Sequence, residues 1–193
     1  MSITIKCFPQ GIYGENTYVI TDEATGHKAV IDPGYFGTDV RMEIQNNAYL
    51  KYLLLTHAHH DHYYAVPEYL KEYSAVTFAA PLKDKALMKD CPEAHTWIKE
   101  GDVITLGSTE IKVIETPGHT AGGVCFLTEN EIFTGDTLFR LSVGRTDLES
   151  GDWETLMKSI KERLYTLDED MIVYPGHGMA TSIGFEKRVN PFV

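Results

Sequence analysis

The sequence has few cysteines, no long apolar run and no secretory leader pattern. Only three cysteines occur among 193 residues, Cys7, Cys91 and Cys125, and none has a neighbour at metal-binding spacing. An odd number of scattered cysteines argues against a disulfide framework, so reduced thiols are expected. No window approaches the roughly 20 apolar residues of a membrane span, and the first ten residues lack a basic start followed by an apolar stretch. These absences predict a cytoplasmic protein with no membrane partner.

Basic residues are scarce relative to acidic residues. The sequence has 17 lysines and arginines against 28 aspartates and glutamates, which gives a formal net charge of -11 at pH 7. The longest basic cluster lies in the EKR segment at residues 186–188 and is too short to offset that charge locally. Because such a charge repels phosphate backbones, no nucleic-acid partner is expected. Bound cations would offset part of the negative charge. No feature of the sequence indicates an oligomeric state.

The chain has enough apolar material for one well-buried domain. Hydrophobic residues make up 43% of the sequence, and no linker divides it, so residues 1–193 are expected to form a single domain. Segments of β-branched and aromatic residues, separated by glycine, asparagine and proline, predict short strands in both halves. They are ITIKCF, NTYVIT, HKAVIDPG, KYLLL and AVTFAA in the first half, and DVITL, TEIKVIET, GVCFLT, EIFTG and MIVYP in the second.

Helical patterns separate and follow these strands. Residues 38–49 begin with a threonine as the predicted cap and place apolar side chains on one face. Shorter helices are predicted at residues 65–73 and 82–90. In residues 152–167 the predicted N-cap is Asp152, and the apolar face consists of Trp153, Leu156, Met157, Ile160 and Leu164. Two β-rich halves, each finished by helices, predict an α+β fold in which two sheets face each other with helices outside.

The segment THAHHDH, residues 56–62, places four histidines and an aspartate directly after an apolar strand. In an extended chain alternate side chains point the same way, so His57, His59 and Asp61 would share one side of the loop. A single histidine is more often a core or surface residue than a metal ligand. Four buried imidazoles would each need a hydrogen-bond partner, however, which makes a metal site the better interpretation. Two imidazoles would converge on one ion, while Asp61 and His62 face a neighbouring one.

Three later segments have the same form, a strand followed by a glycine-containing turn with one metal-binding type of side chain. They place His119 in IETPGHTAGG, Asp136 in IFTGDTLF and His177 in IVYPGHG. Glycine lets the backbone approach an ion and adopts the positive φ angles that such turns need. Thr120, next to His119, is a candidate to orient that ring by hydrogen bonding. Each segment alone is weak support, but together with THAHHDH they give seven ligand-type residues at four strand ends.

THAHHDH matches the T-H-x-H-x-D-H motif of the metallo-β-lactamase superfamily, and the resemblance extends from about Thr17 to the C-terminus. It implies an αββα sandwich of two mixed sheets with the metal ions at one edge. It also implies two ligand sets that share a bridging Asp136: His57, His59 and His119 for one ion, and Asp61, His62 and His177 for the other. His60 lies outside this pattern. Imidazole and carboxylate ligands favour zinc, with iron and manganese as alternatives.

Such a site predicts hydrolysis. Two divalent ions about 3.5–4 Å apart can share a water molecule and lower its pKa, so that no protein nucleophile is needed. This agrees with the absence of a Gly-x-Ser-x-Gly elbow. Asp61 is the candidate to accept the proton, and Asp136 is the bridging catalytic carboxylate. TPGHTAGGVCF, FTGDTLF and the terminal YPGHGMATSIGFEKRVNPF are similar to the glyoxalase II group, which implies a thioesterase acting on S-lactoylglutathione or a related small thioester.

The sequence departs from the glyoxalase II group in two places. After HHDH the group usually has a small glycine-containing turn, whereas this chain has YYAVPE, so Tyr63 and Tyr64 are candidates either to line the substrate entrance or to pack under the loop. The chain also ends soon after His177, so no C-terminal helical glutathione-binding domain is expected. Arg145, in VGRTDLES, is a candidate to hold a substrate carboxylate or to form a salt bridge with Asp147.

Persulfide dioxygenases of the same fold are the alternative from another reaction class. A single iron would then lie on a set of two histidines and one carboxylate, here His57, His119 and Asp136. Those enzymes have Pro-Ala-His-Asp at the last ligand loop, where this chain has PGHG, which favours the hydrolase. The acidic charge disfavours RNA-processing members of the superfamily, and the full set of ligand-type residues disfavours a non-catalytic scaffold.

Overall fold

The computed structural model describes residues 2–10, 14–45 and 48–193, which form two six-stranded sheets and a short hairpin. The strands of the first sheet follow chain order: β1 (Ile3–Gln10), β2 (Glu15–Asp22), β3 (Lys28–Ile31), β4 (Leu50–Leu54), β5 (Thr77–Pro81) and β6 (Thr96–Ile98). Strands β1 to β3 are antiparallel neighbours, and β3 to β6 are parallel neighbours. The first sheet is therefore mixed.

The second sheet is also mixed. Its order is β14 (Thr181–Ser182), β13 (Ile172–Pro175), β10 (Glu131–Gly135), β9 (Val124–Leu127), β8 (Thr109–Glu115) and β7 (Val103–Leu106). The pair β10 and β13 is parallel, and the other neighbours are antiparallel. The separate hairpin consists of β11 (Leu138–Phe139) and β12 (Ser142–Val143).

The described helices are short. They are α1 (Thr38–Ile44), α2 (His60–Tyr63), α3 (Val66–Glu72), α4 (Trp153–Ser159) and α5 (Ile183–Val189), with a 3-10 helix at Leu82–Leu87 and a π-helical turn at Ile160–Leu164. None of them is long and apolar enough to cross a membrane.

Three apolar layers hold the sheets and helices together. The middle layer joins the facing sheets, where Ile31 and Leu54 pack with Phe126 and Phe133. A second layer lies between the first sheet and helices α1 and α3, and a third lies between the second sheet and helices α4 and α5. Each fully buried side chain of this kind contributes about 1.5–3 kcal/mol of transfer free energy. The predicted α+β sandwich, with two mixed sheets inside and helices outside, is confirmed.

Helix α1 is shorter than predicted. It ends at Ile44 because Gln45 has a φ of 59°, which a right-handed helix cannot continue. Its N-cap is Gly37 rather than the threonine at position 38, which is the first helical residue. The predicted helix also covered residues 46 and 47, which lie outside the described residues.

The predicted cap of α4 is confirmed, since Asp152 Oδ1 accepts a hydrogen bond from Thr155 N at 2.8 Å. The later turns of its predicted apolar face are buried or partly buried in the outer layer. Trp153 is 45% exposed, because it lies in the first turn and does not join that layer. The helix predicted at residues 82–90 forms as the 3-10 helix at Leu82–Leu87. Strand β6 has no counterpart among the predicted strands, because three residues are too few to show an alternating pattern in the sequence.

The strand directions bring four loops to one edge of the sandwich. Strands β8 and β10 are both antiparallel to β9, and β13 is parallel to β10, so the loops after all three leave the same edge of the second sheet. Backbone hydrogen bonds join the sheets there, from Val124 N to Thr56 O at 2.9 Å and from Asn16 N to Gly176 O at 2.8 Å. The THAHHDH segment follows β4 at the same edge.

Candidate metal centre

The THAHHDH segment is part loop and part helix. His57 and His59 lie in the loop after β4, whereas Asp61 and His62 lie in the single turn of α2. The predicted extended alternation is therefore wrong at Asp61, because the chain turns into a helix at His60. The helical turn still directs both Asp61 and His62 towards the loop of His177.

The first group of facing side chains consists of His57, His59 and His119. Nε2 of His119 lies 3.2 Å from Nε2 of His57 and 2.8 Å from Nδ1 of His59. His57 and His119 are almost fully buried, while His59 is partly exposed. Three ring nitrogens so close together can share one cation.

The second group consists of Asp61, His62 and His177. Nε2 of His177 lies 3.3 Å from Nε2 of His62 and 3.5 Å from Oδ2 of Asp61. Each side chain of the group offers one ligand atom, and these atoms lie within 4.8 Å of one another. The ring of His62 is fully buried, whereas the other two are partly exposed.

Asp136, from the turn after β10, lies between the two groups. Its Oδ2 is 3.4 Å from Nε2 of His119 and 3.5 Å from Nε2 of His177, and its Oδ1 is 3.4 Å from Nε2 of His62. A Cβ atom at Gly176 would lie 2.3 Å from Oδ1 of Asp136, so glycine is needed where the last loop passes this carboxylate. The structure thus brings together all seven ligand-type side chains singled out in the sequence.

In His57 and His119, one ring nitrogen is hydrogen-bonded to a partner outside the group. When the ring is neutral its proton lies on that outer nitrogen, so the nitrogen that faces the centre carries no proton. Nδ1 of His119 lies 2.7 Å from the carbonyl oxygen of Arg145 and can only donate there. Nδ1 of His57 lies 3.0 Å from Oγ1 of Thr56, whose own proton goes to Asp32. Each Nε2 then presents a lone pair to the centre, as metal-binding imidazoles do when their other nitrogen is held by an outer partner.

Asp136 gives the second test of fit to a metal. Its Oδ1 is buried and has no hydrogen-bond partner among the described residues. A buried carboxylate oxygen left in this state is costly, and a bound cation would satisfy it. Imidazole nitrogens and carboxylate oxygens are the donor types that Zn²⁺ and other divalent transition metals accept. The residues present therefore fit one or two such ions.

The three histidines of the first group are held neutral. Burial lowers the pKa of His57 well below its ordinary value, and the surrounding imidazoles add to this effect. Burial and the neighbouring His119 lower the pKa of His59 to about 4, and burial also lowers the pKa of His119. Neutral imidazole is the form that binds metals, so this group needs no deprotonation at neutral pH.

The second group carries charge of both signs. Burial alone would lower the pKa of His62, but the carboxylates of Asp136 and Asp32 outweigh it and raise that pKa well above its ordinary value. Burial alone would raise the pKa of Asp136, but His62 and the other rings outweigh it and lower that pKa. The pKa of Asp61 is lowered in the same way by His177 and His62. Both carboxylates are therefore ionised at neutral pH.

Asp32 is a site residue that the sequence did not single out. It follows β3 with a φ of 52° and is buried. Its carboxylate accepts hydrogen bonds from Thr56 N at 2.8 Å, from Thr56 Oγ1 at 2.8 Å and from Nδ1 of His62 at 2.9 Å. The available signal was the aspartate of HKAVIDPG at the end of a strand that runs parallel to β4.

Two further buried carboxyl groups were also missed. Asp84 is fully buried and accepts hydrogen bonds from the loops of both His57 and His119. Glu15 is buried, and its backbone pairs with that of His177 in an isolated β-bridge beside the second group. Burial is the main reason why the pKa of Glu15 is raised to about 9. A lone acidic residue near a strand end carries no signal of such contacts by itself.

An open cleft of about 640 Å³ lies over the centre. Five of the seven ligand-type residues line it, together with an apolar group of Phe139, Val143 and Leu148. Arg145 also lines the cleft, and its guanidinium forms two 2.7 Å hydrogen bonds with Asp147. His60 also lines the cleft but is not a member of either ligand group.

The remaining candidates from the sequence are not among the described residues that line the cleft. Tyr63 is 6% exposed and packs in the layer beneath the first sheet. Tyr64 is 63% exposed, and its ring centroid lies 5.2 Å from that of His60. Thr120 is buried and donates a hydrogen bond to Asp84 rather than to a histidine ring.

The chain matches known proteins along almost its whole length. A hydroxyacylglutathione hydrolase, GloC, of Haemophilus influenzae is 34% identical over 99% of this chain and 98% of that protein. An uncharacterised Mycobacterium leprae protein is 35% identical over 98% of both chains. The solved structure of BLEG-1, a B3 metallo-β-lactamase, has a TM-score of 0.90 at 30% identity and covers 98% of this chain and 99% of that one.

A second solved structure, ETHE1 from Myxococcus xanthus, has a TM-score of 0.86 at 30% identity and covers 97% of this chain and 83% of that one. The family model of the metallo-beta-lactamase superfamily matches residues 11–177, a range that includes every ligand-type residue described above. With its αββα fold and its cluster of histidines and aspartates, the chain belongs to the metallo-β-lactamase superfamily, whose members are typically metal-dependent hydrolases.

Proposed function

We propose that the protein is a metal-dependent thioesterase of the glyoxalase II type, acting on S-lactoylglutathione or a related small thioester. The observation that carries this proposal is the arrangement of two groups of three ligand atoms with Asp136 between them, at the floor of an open cleft. The GloC relative, a hydroxyacylglutathione hydrolase, aligns with the chain from end to end and supports the same substrate class.

In this proposal each group holds one divalent ion and Asp136 is shared. The ligand atoms of the first group belong to His57, His59 and His119, and those of the second to Asp61, His62 and His177. Zinc is the expected metal, with iron or manganese as alternatives, since nitrogen and carboxylate donors suit all three. A solved structure at 31% identity, TTHA1623 in a di-iron-bound form, supports two metal positions in this fold.

Two bound divalent ions would supply an activated water molecule and polarise the thioester carbonyl. Asp61 Oδ2 is partly exposed, faces the cleft and is ionised, so it is the group that accepts the proton of the attacking water. Among the described residues that line the cleft, none is a serine, cysteine or lysine. The described lining therefore offers no serine hydroxyl, thiol or amine nucleophile, which favours direct attack by water over a covalent intermediate.

The cleft walls indicate how a thioester would lie. Phe139, Val143 and Leu148 provide an apolar surface for the acyl group or the carbon chain of the thiol. Arg145 is the cationic side chain among the described residues of the lining, and its pair with Asp147 is exposed. An exposed ion pair adds little stability because solvent screens it, so a substrate carboxylate can displace Asp147 from Arg145.

A mononuclear iron persulfide dioxygenase is the second candidate. The specific observations in its favour are the ETHE1 structural neighbour and the mutual distances of 3.2 to 3.9 Å among ligand atoms of His57, His119 and Asp136. A single ion on this set would leave the ligand atoms of the second group, with the buried ring of His62, without a metal. The two-ion thioesterase uses all seven side chains and is preferred.

Metal analysis followed by two assays tests the proposal. Purified protein is expected to carry two equivalents of metal, to release thiol from S-lactoylglutathione and to consume no oxygen with glutathione persulfide. One equivalent of iron together with persulfide-dependent oxygen uptake would instead support the dioxygenase. A metal-loaded protein with neither activity would exclude both candidate functions.

A further inference from the structure

Asp84 connects the two loops that carry the first group of histidines. It lies in the 3-10 helix directly after β5, and its side chain is fully buried. Because β5 is the parallel neighbour of β4, this helix begins beside the loop of His57 and His59. The position explains how a residue far from the ligands in sequence reaches both loops.

Both oxygens of Asp84 accept hydrogen bonds from these loops. Oδ2 accepts from the backbone N–H of Ala58, at 2.9 Å, and from Oγ1 of Thr120, at 2.8 Å. Oδ1 accepts from the backbone N–H of Gly122 at 2.6 Å. Ala58 lies between His57 and His59, and Thr120 follows His119. One carboxylate thus ties the backbone between two ligands to the residue beside the third.

The surroundings of Asp84 are built for a carboxylate acceptor. No ion pair of Asp84 occurs among the described residues, since Lys83 pairs with Glu115 and Lys85 with Glu93. Three donors from two loops are what make a buried acceptor tolerable. A Cβ atom at Gly122 would lie 2.5 Å from both N and Oδ1 of Asp84, so the close approach of the second loop depends on glycine.

The second group of ligands is held by a different carboxylate. Asp32 accepts a hydrogen bond from Nδ1 of His62, and Asp84 makes no hydrogen bond to residues 61, 62 or 177 in the described part of the chain. Loss of the Asp84 bonds would change the separation of His57 and His59 from His119, while the contacts within the second group stay in place.

We propose that Asp84 is a positioning residue that fixes the His57–His59 loop against the His119 loop and thereby sets the metal affinity of the first group selectively. This inference rests on the proposed function, because it assumes that the first group holds an ion. Among the described residues, Asp84 does not line the cleft and makes no hydrogen bond to a ligand side chain. Asp84 acts by fixing the distance between the ligands of the two loops. Loss of hydrogen bonds that hold metal ligands in place typically weakens metal binding about 10- to 100-fold.

The test is a Zn²⁺ titration of the metal-free protein in the presence of a competing chelator, followed by ¹⁵N NMR of the histidine side chains. The ring signals of His57, His59 and His119 report the first position, and those of His62 and His177 report the second. Asp84→Asn places an amide N–H₂ against donors of the two loops. We expect it to weaken the first position about 10- to 100-fold and to leave the second within about threefold.

A matched control and a milder variant complete the experiment. Asp90→Asn removes an exposed carboxylate from the same segment and should bind Zn²⁺ as the wild type does. Thr120→Val removes one of the three hydrogen bonds and should weaken the first position by a smaller factor, which keeps the test valid if Asp84→Asn does not fold. Unchanged affinity at both positions, or equal weakening of both, would overturn the inference. Wild-type protein that binds none of Zn²⁺, Fe²⁺ and Mn²⁺ would overturn the proposed function itself.

Discussion

Nδ1 of His62 lies 2.9 Å from Oδ2 of Asp32, and both side chains are buried. The same carboxylate holds the backbone N–H and the hydroxyl of Thr56, the residue before His57. Asp32 therefore orients the ring of His62 in the second group and anchors the start of the loop that carries the first group. A hydrogen bond from a ligating imidazole to a carboxylate fixes the ring and makes its other nitrogen a stronger ligand.

Replacement of Asp32 by asparagine should weaken the second metal position. Asparagine tolerates the φ of 52° at this position, so the backbone can stay in place. In either orientation its amide N–H₂ would face a donor, the Nδ1–H of His62 or the backbone N–H of Thr56, so a favourable contact becomes an unfavourable one. We expect Zn²⁺ affinity at this position to fall about 10- to 100-fold, measured by chelator competition. Affinity equal to that of Asp90→Asn would contradict this role.

Loss of Asp136 should affect both positions at once. Its two oxygens lie 3.4 to 3.5 Å from ring nitrogens of His62, His119 and His177, so Asp136→Ala removes the carboxylate that faces both groups. Metal content should fall below two equivalents, and kcat/KM for S-lactoylglutathione should fall more than about 100-fold, beyond the usual effect of losing an outer partner. Near-normal turnover in this variant would exclude the shared role of Asp136.

Truncation of Arg145 should separate substrate binding from chemistry. The hydrogen bond from Nδ1 of His119 is accepted by the backbone carbonyl oxygen of Arg145, so Arg145→Ala keeps that bond and removes the guanidinium from the cleft. If the guanidinium holds a substrate carboxylate equally in the ground state and the transition state, KM rises about tenfold and kcat is unchanged. Arg140→Ala, at an exposed arginine over the ring of Phe185, is the control. A fall in kcat with unchanged KM would argue against this role.

The pH dependence of stability should contain a contribution from Asp22, which joins the two sheets away from the site. Burial alone would raise the pKa of Asp22, but hydrogen bonds from Ser108, Thr25 and Thr109 lower it to about 2, against 3.8 for the free side chain. Because the folded state then binds fewer protons, this stabilisation is present above pH 3.8 and is lost as the pH falls through about 2.

Asp22→Asn should therefore be destabilised by about 1–2 kcal/mol at neutral pH, and the difference from the wild type should shrink towards zero near the pKa of about 2. The free energy of unfolding, measured by urea titration at several pH values, gives the comparison. A difference that does not change with pH would show that the aspartate acts through packing rather than through its charge.

Sequence patterns predicted the fold and the positions of the ligand-type residues for a physical reason. Strand periodicity and glycine turns place side chains at strand ends, and THAHHDH is dense enough that a neutral packing of all its rings is implausible. The same patterns failed where tertiary contacts decide. Helix α1 ends early because of the backbone at Gln45, and the first turn of α4 leaves Trp153 exposed at the end of its packed layer.

Asp32 and Asp84 show why the supporting residues of the site were not found in sequence. Each is a single aspartate after a short strand, a common arrangement whose meaning depends on which donors the fold brings to it. The donors of Asp84 come from residues 58, 120 and 122, and those of Asp32 from residues 56 and 62. Only the parallel order of β3, β4 and β5 brings these carboxylates beside the ligand loops.

The most direct test of metal-dependent thioesterase activity is the rate of thiol release from S-lactoylglutathione, measured on the same preparation without metal and with two equivalents of Zn²⁺. We predict no release from the metal-free protein, release after loading, and no oxygen uptake when glutathione persulfide replaces the thioester. No thiol release from the fully loaded protein, with oxygen uptake from persulfide after loading with a single iron, would contradict it.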